Sequence, residues 1–174
     1  MTRDFFIREA EPDDAGQILE FLKELYGEPG ILLNTQPDEF DLTVEDELQF
    51  ITRLKQQSNS LFLVATVEGK IIGILTCKGG NRSVNYHDTQ LGIVIHKEWR
   101  SRGAGNTLMN AAIEWARAND FVQRISLNVY DDNARAIHLY SKLGFKIEGR
   151  RHKALFKHGR YYDELIMGLL LADD

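Results

Sequence analysis

Residues 100 to 106 read Arg-Ser-Arg-Gly-Ala-Gly-Asn, between the apolar run Leu91-Gly92-Ile93-Val94-Ile95 and an amphipathic stretch ending near Asn119. A strand, a glycine turn and a helix in that order leave backbone N–H groups converging at a helix start. The dipole there favours negative charge, and glycine lets a ligand approach closely. Arg100 and Arg102 add donors suited to phosphate. The turn therefore reads either as a phosphate site or as a solvated connection. Gly103-Ala104-Gly105-Asn106-Thr107-Leu108 has neither the lysine of a P-loop nor the third glycine of a dinucleotide fingerprint, which argues against those nucleotide motifs.

Other residues could move protons. His87, in Tyr86-His87-Asp88, titrates near ~6.5 when unperturbed; an isolated histidine is otherwise a structural side chain. Asn133 stands at a helix start, where asparagine is an ordinary cap. Tyr140 follows seven residues later, about two turns along the same face. Glu28, Asp38, Glu39, Asp41, Glu45, Asp46 and Glu47 could attract a cationic amine or form a solvated face. Cys77 reads as a small buried apolar residue, and no Cys or His pair has zinc-ligand spacing, so no metal is expected.

These groups need elements to position them. Phe5 to Ala10 reads as a first strand, with Glu11-Pro12-Asp13-Asp14 opening a helix that Gly27 stops. Residues 28 to 42 are too long for a mere connector and suggest a substrate-side loop. Thr43, with Asp46 in a capping-box variant, begins a second helix carrying Val44, Leu48, Ile51 and Leu54. The period then changes: Leu61 to Val67, Lys70 to Cys77 and Val84 to Ile95 predict an antiparallel meander. Leu108, Ala111, Ala112 and Trp115 mark a third helix over 105–119, and Ile125 to Val129 a fifth strand. A fourth helix from Asp131-Asp132-Asn133 carries Ala136, Ile137, Tyr140 and Leu143 and ends at Gly144, before strands near 145–156 and 161–171. Together these make an α/β (α+β) fold with a mixed, largely antiparallel sheet of six to seven strands and about four helices, in one domain over 1–174.

Bulk properties narrow the function classes. At 174 residues, 43% hydrophobic and 27% charged, the chain suits one globular core. Its 21 basic and 26 acidic residues leave a formal charge of −5, against nucleic-acid binding by general electrostatics. No run approaches the ~20 apolar residues of a membrane span, and the N-terminus is charged from residue 3, so no membrane association is expected. A single cysteine fits a reducing, cytoplasmic compartment.

Three segments carry a likeness to a known family: LGIVIHKEWRSRGAG at 91–105, LNVYDDNARAIHLYSKLGF at 127–145, and GRYYDELIMGLLL at 159–171. The first holds Arg-x-x-Gly-x-Gly and the second Asn-x-x-Ala-x-x-x-Tyr-x-x-x-Gly-Phe. The chain resembles the GNAT superfamily of Gcn5-related N-acetyltransferases, in its small-amine and ribosomal-protein N-terminal branch. The resemblance implies strands 4 and 5 splayed at a bulge, with acetyl-CoA as cosubstrate in the gap. Val94 and Ile95 would pair with the pantetheine arm. Arg100, Ser101, Arg102, Gly103, Ala104, Gly105 and Asn106 would hold the pyrophosphate, and Asn133 would bind the cofactor near its thiol arm. Tyr140 would be the general acid. Ser101 departs from the glycine many members have, but keeps the backbone donor.

The implied reaction is direct transfer of acetyl to a primary amine, whether small molecule, polyamine or protein N-terminus, in a ternary complex. Gln90 stands where relatives often carry glutamate and cannot take a proton, which leaves His87 as the candidate base, acting through water. Tyr161, Tyr162, Asp163 and Glu164 resemble the acceptor-side last hairpin. A non-catalytic acyl-CoA-binding sensor or interaction domain is the alternative, and a site for another nucleotide ranks last. The family likeness makes a homodimer the assembly to test.

Overall fold

A computed structural model describes residues 5–28 and 37–171. Strand β1 is Phe6–Glu9; a 3₁₀ turn at Pro12–Asp14 leads into α1, Ala15–Tyr26. A second 3₁₀ turn at Pro37–Glu39 precedes α2, Val44–Gln56. Then come β2 (Leu61–Val67), β3 (Lys70–Gly79), β4 (Asp88–Ile95), α3 (Ala104–Arg117), β5 (Arg124–Tyr130), α4 (Ala134–Lys142), β6 (Lys146–Lys157) and β7 (Arg160–Leu170). The predicted cap of α2 is present in full: Asp46 N–H donates to Thr43 Oγ1, and Thr43 N–H to Asp46 Oδ2 at 2.9 Å. Both two-residue hairpin turns, Glu68-Gly69 and His158-Gly159, have positive φ at both positions, as a type I′ turn requires.

The strands make one seven-stranded sheet in the order β1-β2-β3-β4-β5-β7-β6, antiparallel except for β4 with β5. This is the mixed, largely antiparallel sheet expected from the sequence. Strand alternation gives it two apolar faces. On one, Leu91, Ile125, Leu127, Val129, Leu165 and Met167 pack with Leu108, Met109, Ala112 and Ile113 of α3; on the other, Phe62, Val64, Ile71 and Ile74 pack with α1 and α2. α3 buries Met109, Ile113 and Ala116 beyond the residues predicted for its inner face.

One element is shorter than expected. β4 begins at Asp88, not Val84, because residues 81–87 are turned. Asn85 Oδ1 accepts from Arg82 N–H, Asp88 N–H reaches the Asn85 carbonyl, and Asn59 Nδ2 ties down the carbonyls of Gly80 and Tyr86 at 2.9 and 2.8 Å. Val84 is 80% exposed, so its β-branched side chain decides nothing.

The sheet splits in its middle. β4 and β5 pair only from Asp88/Arg124 to Leu91/Leu127. Beyond that, β4 stays with β3 to Ile95 and β5 stays with β7 to Tyr130. Each strand keeps its outer partner, so the inner edges separate. The expected splay is there, but the bulge expected with it is not on the β3–β4 ladder, whose register is unbroken from Gly79/Thr89 to Gly73/Ile95. Register shifts lie elsewhere, at Ala65/Thr66 between β2 and β3 and at Ile147/Gly149 and Arg151/Leu155 between β6 and β7.

Candidate active site

The parted strands open into a cleft of about 690 Å³. β4 contributes Ile93, Val94 and Ile95, the following turn Arg100, Ser101 and Gly103, and the start of α3 Gly105 and Asn106. Asn133, Ala136, Leu139 and Tyr140 close it from α4. The backbone of β4 past Leu91 has no strand on its β5 side, so the N–H and C=O groups it turns to that side are open to an extended ligand, apart from the Ile95 carbonyl, which Arg100 Nε holds.

The glycine turn is built as an anion cradle. Gly103, the residue before α3, has φ +93°, and Ser101 has φ +61°, both in the left-handed region. Among the described residues no side chain caps this helix. The first intrahelical bond runs from Thr107 N–H to the Gly103 carbonyl at 3.0 Å, so the N–H groups of Ala104, Gly105 and Asn106 lie ahead of the ladder at the positive end of the helix dipole.

The two arginines do not share one task. Both terminal nitrogens of Arg100 donate to the carboxylate of Glu28, one at 2.6 Å, and Nε donates to the Ile95 carbonyl at 2.9 Å. Arg100 therefore straps the end of α1 to the end of β4 instead of offering a free guanidinium. Arg102 is exposed, its guanidinium over the Trp99 ring at 5.6 Å from the centroid. Ala104 contributes its backbone only, since its methyl is in the core.

Asn133 does two things. Its Oδ1 caps α4 by accepting from Ala136 N–H at 3.2 Å, while the residue lines the cleft. Tyr140 is 8% exposed at the cleft wall beside Phe145. Burial pushes its phenol up to about 12, so it is a neutral O–H at pH 7, able to give a proton and poorly able to take one.

His87 is not in the cleft. It precedes β4 at the end opposite the splay, exposed, with its carbonyl accepting from Gln123 and Arg124 N–H. At ~3.3 Å per residue it lies about 16 Å along the strand from Gly92, beyond the reach of a proton transfer through one water. Gln90 is bound across to β5, its Oε1 accepting from Ser126 Oγ at 3.2 Å. In the last hairpin Tyr162 is buried beneath Arg160 at 4.1 Å and edge-on to Tyr130, while Asp163 is held down to about 2 by Lys153 N–H and Arg150. Cys77 is buried as expected, its thiol pushed up to about 12 by desolvation. Arg135, His138 and Lys142 also line the cleft from α4. Their spacing along one helix edge was the available sequence signal.

Comparison with known proteins decides what this architecture is for. Residues 19–145 match the model of the Acetyltransferase (GNAT) family. The chain belongs to the GNAT family. It is 34% identical over 167 residues to the L-amino acid N-acetyltransferase AaaT of Escherichia coli strain K12, covering 92% of this chain and 94% of that protein. The crystal structure of a GNAT-family acetyltransferase from Streptococcus pneumoniae superposes with a TM-score of 0.92 at 34% identity, covering 97% of this chain and all of that one. A phosphinothricin acetyltransferase from Sinorhizobium meliloti, solved with acetyl-CoA, has the same fold at a TM-score of 0.84 and 22% identity over 98% of this chain and 89% of its own. This GNAT chain is an acetyl-CoA-dependent N-acetyltransferase with an amine acceptor. The cleft fits the cosubstrate: an uncapped helix start for a diphosphate, a free strand edge for an amide-bearing arm, and an apolar-walled gap between them.

Proposed function

We propose that this enzyme acetylates the amino group of a small amine of the amino-acid type, with the roles divided as follows. The free edge of β4 at Val94 and Ile95 pairs with the pantetheine amides, and a β4 N–H polarises the thioester carbonyl. The amides of Ser101, Arg102, Gly103, Ala104, Gly105 and Asn106 receive the pyrophosphate at the α3 dipole, with Arg100 fixing the turn. Asn133 orients the arm near its thiol end, and Tyr140 donates its phenol proton to the departing sulfur. Acetyl-CoA supplies the activated acyl group; the chain's contribution is placement and proton handling.

The observation that carries this reading is the unpaired edge of β4 opening into the cleft beside an uncapped helix. The amino-acid type of acceptor is supported by the 34% identity to AaaT across nearly the whole chain. The buried lone cysteine suits a reducing compartment, and we place the enzyme in the cytoplasm.

The test has two arms. Acetyl-CoA raises Tm where NAD and ATP do not; at a hundredfold excess over Kd the stabilisation is about 2.7 kcal/mol. CoA release then depends on added L-amino acids and is slower with a polyamine or a peptide N-terminus. No acetyl-CoA shift overturns the cleft assignment, and release equal across all amines overturns the acceptor class.

A further inference from the structure

We propose that Glu47 of α2 is the general base, accepting the amine's proton where Gln90 on β4 cannot. This rests on the reading of the cleft as the acetyl-CoA site. It follows from where α2 lies. Its C-terminal end is tied toward the β1 edge of the sheet, with Lys55 Nζ 2.6 Å from Glu11 Oε2. One turn and more back, the Phe50 ring meets Phe62 of β2 edge-on at 5.8 Å between centroids. Phe62 is opposite Thr76 of β3, and Thr76 opposite Gly92 of β4, all in one row across the sheet. The helix thus runs from the β1 side over β2. Continuing toward its N-terminus, the three residues from Phe50 to Glu47 advance about 4.5 Å, close to one strand spacing of about 4.8 Å, which carries Glu47 over Thr76, with its side chain directed back along the helix toward β4 and Gly92. The approach to α2 agrees: Phe40 stacks on Tyr26, at the end of α1, two residues before the Glu28 that binds Arg100 at the cleft.

Gly92 is the first residue of β4 beyond its last pair with β5, so it marks where the strands part. It is exposed in mid-strand, and a methyl added there would meet nothing nearer than Thr76 Oγ1 at 3.5 Å. The opposite face is filled by α3. The α2 face of Gly92 is therefore the open approach to whatever is held along the β4 edge, and an amine must come from it.

Glu47 lies on the inward stripe of α2 with Ile51 and Leu54 and is only 5% exposed. Among the described residues its carboxyl makes no hydrogen bond and no ion pair. Its neighbours in sequence are spent: Asp46 on the cap of α2 and Glu45 on Gln49 at 2.8 Å. A buried carboxyl with nothing to hold is costly unless a ligand completes it, and an ammonium group is the complement. Burial also lifts its titration to about 7, where a base for an amine works near neutral pH. The charged groups around α2 are otherwise engaged. Glu24 and Glu28 of α1 are directed to His96 and Arg100, Glu11 and Asp14 to Lys55 and Arg8, and Glu39 acts on Lys157 at the tip of β6. Lys78 of β3 is exposed, and the face β2 turns to α2 carries no ionisable side chain.

The protons balance. The ammonium gives one proton to the Glu47 carboxylate, and the freed nitrogen pair forms the N–C bond as the C–S bond breaks. Sulfur takes the phenol proton of Tyr140, and the second proton shed by nitrogen restores that phenol. Glu47 releases its proton to solvent, for a net release of one.

The test is Glu47→Gln in the full chain, with three readouts: acetyl-CoA Kd by calorimetry, kcat/KM for the preferred amine, and its pH profile. Expected are an unchanged Kd, a fall in kcat/KM of about 100-fold, and loss of the wild-type acidic limb near 7. Glu47→Asp, which keeps a carboxylate, recovers part of the activity and the limb. If Glu47→Gln stays within twofold of wild type, or loses activity with the limb intact, Glu47 is not the base. If wild type itself shows no amine-dependent CoA release, the acceptor reading falls and this assignment with it; if wild type turns over normally and only the Glu47 expectations fail, the cleft reading stands alone.

Discussion

Replacing Glu47 by glutamine tests its burial without any substrate. In the fold the carboxyl titrates near 7 instead of its ordinary 4.5, because desolvation penalises the charged form. The sign follows from linkage: below about 4.5 both folded and unfolded chains hold the proton, and the group contributes no difference. As pH rises from about 4.5 to 7 the unfolded chain loses its proton first, so wild type loses stability by up to ~1.4 kcal/mol per pH unit, and the loss levels off above about 7 near ~3 kcal/mol. Glutamine does not titrate. The stability of Glu47→Gln relative to wild type must therefore climb with pH by up to ~3 kcal/mol between pH 4.5 and 8, or roughly 6–12 °C in Tm for a domain this size. Denaturant melts at half-unit pH steps on both proteins give the difference directly, and the other titrating groups cancel. A difference that is flat from pH 4.5 to 8 would refute the claim that this carboxyl is desolvated and unpaired.

Tyr140→Phe keeps the buried ring and removes the O–H, so kcat should drop about 100-fold with acetyl-CoA Kd within twofold; an equal loss in Kd, seen by calorimetry, would make the hydroxyl a binding group instead. Asn133→Ala removes the cap of α4 and should cost about 1 kcal/mol in denaturant melts as well as weakening acetyl-CoA; a stability loss with unchanged Kd would leave Asn133 as a cap alone. Asp163→Asn should flatten acid unfolding. Asp163 is held near 2 by Lys153 N–H and Arg150, so its contribution is present above about 4 and lost as pH falls toward 2, and mutant and wild-type melts should converge over that window.

The parts of the site written as local backbone chemistry were legible. Arg-x-x-Gly-x-Gly between an apolar run and an amphipathic stretch gave the turn, and Asn133 and Tyr140 seven residues apart gave one wall of the cleft, because helix spacing alone puts them on one side. What depended on partners was not. Arg100 looked like a phosphate donor, yet its guanidinium is taken by Glu28, 72 positions away in sequence. For His87 the sequence offered only a proton-accepting side chain just ahead of β4. What decides is its distance along the strand, and that needed the β4–β5 pairing to show which end is open. Val84 and Tyr86 read as strand by side-chain type, but Asn85 and Asn59 hold residues 81–87 in a turn. The register of β4 was equally hidden, since a splay made by two strands each keeping its outer neighbour leaves no mark in either strand's own sequence.

That way of parting bears on how the site works. No bulge is needed for it: from Gly92 to Ile95 the strand has lost its inner partner while keeping its outer one, and alternate residues turn backbone groups inward along that stretch, the Ile95 carbonyl being held by Arg100 Nε. The free edge is thus as rigid as the β3–β4 ladder behind it, and a ligand pairing with it meets groups already fixed in place, so little ordering is left to be done on binding. The same continuity holds Gly92 in the row with Thr76 and Phe62, the row that α2 crosses. On the proposed reading, cosubstrate and amine meet on this one piece of sheet, from opposite faces. The strap from Arg100 to Glu28 joins the ends of β4 and α1, one on each side of that alignment. On the proposed reading, the packing that seats Phe50 on Phe62 also turns the Glu47 carboxyl toward the amine's approach, and a base there needs no change in the fold.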